Sequence, residues 1–323
     1  MRRSRSNALL LLVALAAAAP VAAQSVEGGA FLLLPVGARS TALGQASSAD
    51  GGTTEAVYWN PAGLAGMRHG EAAIHHYAAF FGSGDALVLA VPVPAIGTFA
   101  FGAYIVNYGD LEVTPPGGGG TVPIGRLSPR NIALSASFAT DLGVLSAGIT
   151  YKLVQFRADC SGDCTNVPSA VGTTHAVDIG IQAALFSSPV VLAATVRNLG
   201  FPLQVNNRAQ ADPLPTRVVV GVKWQVVRPA LAGEALDLTI LADLETAVQG
   251  DIQPAPLIGL ESGVGDVVRL RAGYAFVDAE ARGPSLGLGV HVGRVGVDLA
   301  RTFYATDAIG EKEPVHISVR LAL

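Results

Sequence analysis

Residues 315–323 read Val-His-Ile-Ser-Val-Arg-Leu-Ala-Leu, which puts Val315, Ile317, Val319, Leu321 and Leu323 on one side of an extended chain and His316, Ser318 and Arg320 on the other. Side chains alternate across a strand with a period of two, so this is a strand with one greasy and one polar face. The pattern recurs upstream. Leu286, Leu288, Val290 and Val292 oppose Gly287, Gly289 and His291, while Leu270, Ala272, Tyr274 and Phe276 oppose Arg269, Arg271 and Gly273. Leu236, Leu238 and Ile240 oppose Asp237 and Thr239, and Val218, Val220, Val222 and Trp224 oppose Arg217, Gly221, Lys223 and Gln225. Val177, Ile179 and Ile181 face away from Asp178, Gly180 and Gln182 in the same way.

Such alternation fits a soluble sandwich as well as a membrane barrel, and the spacing of the turns separates them. Fourteen candidate strands begin at about residues 71, 85, 98, 130, 144, 174, 189, 215, 235, 256, 266, 284, 294 and 314. The connections at 94–97, 141–143, 187–189, 229–233, 262–265 and 293–294 are short, while those at 110–128, 158–172, 200–213, 246–255, 278–283 and 305–313 are longer. Only the first connection, at 82–84, breaks the rule. Alternating short and long connections predict an all-β fold, a transmembrane antiparallel barrel with tight periplasmic turns and long extracellular loops. An even strand number places both termini in the periplasm. Trp224, Tyr151, Tyr274, Phe276 and Phe303 are the candidates for the interfacial aromatic belt.

Composition agrees. Charged residues make up 14% of the chain and hydrophobic ones 50%, and the mean hydropathy is +0.44, whereas a soluble domain carries roughly 25% charge. Lys and Arg number 21 against 25 Asp and Glu, a balance that offers no electrostatic footprint for nucleic acid. The stretch from Ala86 to Val106 lacks charge, but Pro92, Pro94 and Gly97 divide it into two runs of strand length, not one spanning helix. Arg2, Arg3 and Arg5 precede an apolar run from Ala8 to Ala19 and the small residues Val21-Ala22-Ala23. That order reads as a secretory leader over residues 1–23, cleaved near Ala23. Residues 24–70 follow as a plug and 71–323 as the barrel.

The plug segment lacks apolar alternation and is rich in Gly, Ala and Ser, residues that let backbone fold tightly inside a lumen. A disordered linker is the alternative, opposed by the adjacent bulky Tyr58 and Trp59. Residues 37–66, GARSTALGQASSADGGTTEAVYWNPAGLAG, resemble the N-terminal region of the PorV/PorQ family, whose barrels are similar to the FadL long-chain fatty acid transporters. The resemblance lies in Gly37, Ala38, Arg39, Ser40, Ala42, Leu43 and Gly44, then Tyr58, Trp59, Asn60, Pro61, Ala62, Gly63 and Leu64. The chain departs at Gln45-Ala46-Ser47, where the family has Gly-Ala-Phe, at Leu299-Ala300, where Tyr-Ala is frequent, and at Leu323, where the family ends on Phe.

The resemblance implies an outer-membrane barrel that moves small hydrophobic compounds passively, with Gly37, Arg39, Ser40, Gly44, Tyr58, Trp59, Asn60, Pro61 and Ala62 forming the gating plug. Pro92 and Pro94 would interrupt strand pairing and mark an opening in the wall. It equally implies an interaction role in type IX secretion, holding cargo or a translocon subunit, and a purely structural porin-like barrel is a third reading. Membrane lipid and a hydrophobic small molecule are the expected partners.

Other constellations point away from catalysis. Cys160 and Cys164 enclose three residues of a predicted loop and read as a local disulfide, since a metal site would need more ligands than Asp159 and Asp163. Gly283-Pro284-Ser285-Leu286-Gly287 matches a nucleophile-elbow pattern but leads into a strand where the elbow requires a helix. His75 and His76 fall on opposite faces of one strand and cannot chelate together. The glycines from Gly117 to Gly120 read as a flexible loop tip. No catalytic residue, metal ligand or cofactor site is assigned. The inward face carries Arg197, Arg217, Lys223, Arg269, Arg271 and Arg320 with Asp178, Asp237, Asp243 and Asp298, mixed signs that predict a salt-bridged or plugged lumen.

Overall fold

A computed structural model describes residues 27–79, 82–114, 122–164, 169–185, 188–205, 211–227, 236–250, 252–265, 267–277, 282–303 and 313–323. The leader and the Gly117–Gly120 loop tip lie outside the described residues. Fourteen strands form the wall. They are β1 (Glu71–Ala79), β2 (Gly82–Val93), β3 (Gly97–Asn107), β4 (Gly125–Asp141), β5 (Leu145–Gly162), β6 (Ala170–Ala184) and β7 (Val190–Gly200). The second half comprises β8 (Arg217–Val227), β9 (Leu236–Ala247), β10 (Ala255–Val264), β11 (Val268–Ala275), β12 (Gly283–Val292), β13 (Val295–Thr302) and β14 (Val315–Ala322). Each strand pairs antiparallel with the next, and β14 returns to β1 through Glu71↔Ala322 to Ala78↔Val315. Closure leaves no open edge, which is what a sheet in hydrocarbon needs.

The outer face is apolar. Ile74, Leu87, Phe101, Leu134, Leu270 and Leu286 are all exposed, Phe101 at 62%. Lipid, not water, covers such a surface, and the fold is a transmembrane β-barrel. Trp224, beside the 228–235 connection, and Phe276, beside 277–282, are exposed at opposite ends of the wall. Tyr274 lies 4.4 Å from Phe276 ring to ring, and the Arg301 guanidinium sits 5.2 Å from the Phe303 ring.

Several expectations need correction. The long connections at 110–128 and 158–172 are in part strand, because β4 starts at Gly125 and β5 runs to Gly162, paired from Gly125↔Gly162 to Asp141↔Ser146. Cys160 and Cys164 form a disulfide at the end of this extension, with their Cα atoms 6.1 Å apart. Pro92 opens nothing, since the ladder continues through Pro92↔Thr98 to Val93↔Gly97. β1 begins opposite Ala90, so Pro92 lies past the end of that neighbour, where a missing N–H breaks no bond. Leu323 N–H donates to Gly70 O at the short-turn end, whereas Glu27, the first described residue, pairs with Arg217 at the start of β8, at the long-loop end.

Candidate functional site

The segment before β1 is built from short turns, because its small residues cannot supply an amphipathic helix but can fit close to the wall. A 3₁₀ turn covers Ala30–Leu33, α1 covers Ala38–Ala42, α2 covers Ala56–Trp59 and a second 3₁₀ turn covers Pro61–Gly66. Asn60 starts the last of these. Its Oδ1 accepts from Ala62 N at 3.0 Å, with Pro61 in the first helical position, where a missing N–H costs nothing. The Asn60 Nδ2 donates to Ser48 O at 2.7 Å and to Ile181 O of β6 at 3.3 Å, tying the motif to the wall. Gly37 adopts φ +94, and the Glu55 carboxylate occupies the place its side chain would take. Glu55 Oε2 accepts from Ser40 N at 2.9 Å and Ser40 Oγ at 2.5 Å. Gly44, at φ +62, presses on the Tyr274 and Ile258 backbone, a contact only glycine allows.

The wall answers with hydrogen-bonding side chains. Asp243 accepts from Ser47 N at 3.0 Å, Ser48 N at 2.8 Å and Ser48 Oγ at 2.8 Å. Ser285 donates to Ala42 O at 3.1 Å and accepts from Gly44 N at 3.2 Å, so the serine of the elbow-like pattern holds the plug. Ser318 Oγ accepts from Ala38 N at 2.8 Å, and Glu71 Oε1 accepts from Thr54 N at 2.9 Å and Thr54 Oγ1 at 2.7 Å. These contacts reach β1, β6, β9, β12 and β14, so the segment is held from all around the lumen.

Below it, toward the short turns, runs one ion-pair chain. Lys223 meets Asp50 at 3.0 Å, Asp50 meets Arg39, and Arg39 makes two bonds to Glu261 at 3.1 and 3.0 Å. Glu261 meets Arg271 at 2.5 Å, Arg271 meets Asp298 at 2.6 Å, and Asp298 meets Arg320 at 2.6 Å. Arg39 and Asp50 come from the plug and the rest from the wall. Buried pairs of this kind are costly to break because either partner alone is a stranded charge. A polar cavity of ≈ 240 Å³ opens beside them, lined by Arg39, Asp50, Lys223, Arg269 and His291 among others.

Above the plug the lumen changes character. Phe31 and Val36 of the plug, Tyr77, Tyr104, Val106 and Val154 of the wall, and Leu203 and Leu214 of the 201–216 loop form one buried apolar cluster. Inward faces were expected to be small or charged, so this half corrects the reading. Greasy residues point inward here because they pack on the plug and the folded-in loop. Tyr58 lies in this half, its ring 6.1 Å from that of Tyr104, and burial pushes its hydroxyl pKa above the ordinary tyrosine range. Trp59 donates to Val36 O at 2.9 Å, and the Arg197 guanidinium lies 5.1 Å from its ring. Arg217 binds Glu27 through two bonds at 2.7 and 2.8 Å.

Solved structures with this architecture exist. The toluene transporter TodX of P. putida matches with a TM-score of 0.61 at 12% identity, over 89% of this chain and 98% of that one. The Ralstonia pickettii toluene transporter TbuX gives 0.58 at 12% identity over 89% and 98%, and a Pseudomonas aeruginosa FadL homologue gives 0.55 at 12% over 90% and 99%. The barrel is FadL-like in fold. No protein-family profile matches the sequence, and no curated protein does.

The FadL-like barrel gathers Arg39 of the plug with Lys223 and Arg271 of the wall into one network. Asp237 stays at the rim, its side chain 60% exposed and 3.7 Å from Arg269. Glu55, Glu71, Glu245 and Glu261 carry much of the binding to plug and cations, and they were missed. Glu261 shares inward parity with Gly259, a signal hidden by poor alternation in β10, and Glu245 shares it with Asp243 in β9.

Proposed function

We propose that the protein resides in the outer membrane and lets small hydrophobic compounds cross it without energy input, entering from the long-loop side and leaving past a displaceable plug. The supporting observation is the division of the lumen, apolar above the plug at Tyr104, Val106 and Val154 and ion-paired below it at Arg39, Glu261 and Arg271. An apolar compound partitions into the upper half, where burial contributes roughly 25 cal/mol per Å², and the network below blocks free passage of ions. The toluene transporters named above are similar in fold and lend the reading chemical precedent. On this reading residues 1–23 are removed on export, 24–70 form the gate and the short turns face the periplasm.

Uptake of labelled toluene and longer hydrocarbons is measured in a deletion strain with and without the gene. Restored uptake on complementation is expected, and unchanged uptake across the panel ends the proposal. The PorV/PorQ alternative, a secretion partner, rests on the Gly37–Leu64 motif. Stoichiometric co-purification with a secretion component would put it in first place.

A further inference from the structure

Between the plug and the wall lies a small cavity of ≈ 20 Å³, lined by Leu32, Leu34, Tyr58, Tyr104, Ser135 and Arg197 among others. That is room for about one water-sized group. Four polar atoms on its lining residues have no hydrogen-bond partner among the described residues, namely the Tyr58, Tyr104 and Ser135 hydroxyls and Arg197 Nε. Ser135 and Arg197 are 6% and 7% exposed. Tyr58 and Ser135 meet at Gly102, where a β-carbon would lie 3.2 Å from Tyr58 Oη and 3.7 Å from Ser135 Cβ. Native interiors rarely leave buried donors unsatisfied, so four on the lining of one void call for a guest.

The chemistry of that guest follows from the lining. Each orphan carries an N–H or O–H, so the guest must supply an acceptor. The neighbouring cations are already neutralised, Lys152 by Asp178 at 2.6 Å and Arg197 by Glu245. A carboxylate would therefore enter as an uncompensated buried charge, and a bare hydrocarbon would leave the donors dry. We propose that this niche seats the oxygen of an uncharged apolar compound bearing one carbonyl or hydroxyl, whose body takes the place of Leu32 and Leu34. The proposal rests on the transport reading and narrows its substrate class.

Trp59 lines the same cavity and serves as the reporter. The chain has two tryptophans, so Trp224→Phe on the outer wall leaves Trp59 alone. Acetophenone, toluene and benzoate, which share a phenyl ring, are titrated against this refolded full-length protein in detergent. Acetophenone is expected to quench with an apparent Kd at least tenfold below those of toluene and benzoate. Adding Tyr58→Phe with Ser135→Ala is expected to erase that margin and leave toluene unchanged, with gel mobility before boiling reporting the fold. Equal affinities, a ranking led by benzoate, or a margin that survives in the double variant overturns the proposal. Toluene binding without preference overturns it and spares the transport reading, whereas silence from all three compounds ends both. Should the double variant not fold, the ranking in the parent protein decides alone.

Discussion

Gly180 on β6 has no side chain because Asn60 takes its place: a β-carbon at Gly180 would collide with Asn60 Oδ1. Neither residue is interpretable alone. Together they set how deeply the Asn60-Pro61-Ala62 turn sits against the wall, and Gly148 of β5 makes the same allowance for the Pro61 and Ala62 backbone.

Gly180→Val should therefore push the turn off its seat. Overpacking costs about 1–3 kcal/mol, and here it falls on the plug, not on the wall ladder. We expect higher ion conductance in planar bilayers with unheated gel mobility retained. Conductance equal to the parent would show that the seat does not hold the plug.

Arg39→Ala strips Glu261 and Asp50 of their shared cation. Breaking a buried pair costs about 3–5 kcal/mol, and the plug should become cleavable by protease added to reconstituted vesicles. Arg39→Lys should rescue little, because an ammonium cannot reproduce the two parallel bonds to Glu261. Full protection in Arg39→Lys would contradict the bidentate role.

Asp243→Ala removes the acceptor of the Ser47 N–H, the Ser48 N–H and the Ser48 hydroxyl. Each unsatisfied buried group costs about 1–3 kcal/mol. The urea midpoint for loss of heat-modifiable mobility should fall, and Asp237→Asn at the exposed rim should leave it unmoved. Identical midpoints for the two variants would refute the assignment.

Leu134→Arg tests the lipid face directly. Leu134 is exposed at 47% among Ala103 and Leu153 of the adjacent strands, and arginine at the bilayer midplane of a barrel costs about 2–4 kcal/mol. Refolding into lipid vesicles should weaken accordingly, while His76→Arg, near the rim and already beside Asp85, should cost under about 1 kcal/mol. Equal penalties would mean that no membrane surrounds Leu134.

Much of this architecture was legible in the linear order of residues. Each of the fourteen strands starts within five residues of its expected position, because alternation of the kind seen at Val315–Leu323 marks an extended chain whose two faces meet different surroundings, here lipid and lumen. The long hairpin β4–β5 was read short because Arg126, Ser128 and Arg157 look like loop, although in a strand that extends past the lipid they are simply solvated. The apolar upper chamber was hidden for a different reason. Tyr104 and Val106 lie on a strand whose two faces are both mostly apolar, where periodicity carries no direction, and Tyr77 and Val154 share their inward faces with the polar His75 and Lys152.

The linear sequence on its own determined which side chains share a face and where the chain turns, since both follow from backbone geometry between near neighbours. The resemblance to the PorV/PorQ family also singled out Arg39, Asn60 and Gly44 as plug residues. Which partner each one meets was decided only by tertiary structure. Arg39 reaches Glu261 across 222 positions and Gly44 reaches Ser285 across 241, and closure of the barrel, not local preference, brings such distant groups within hydrogen-bond range.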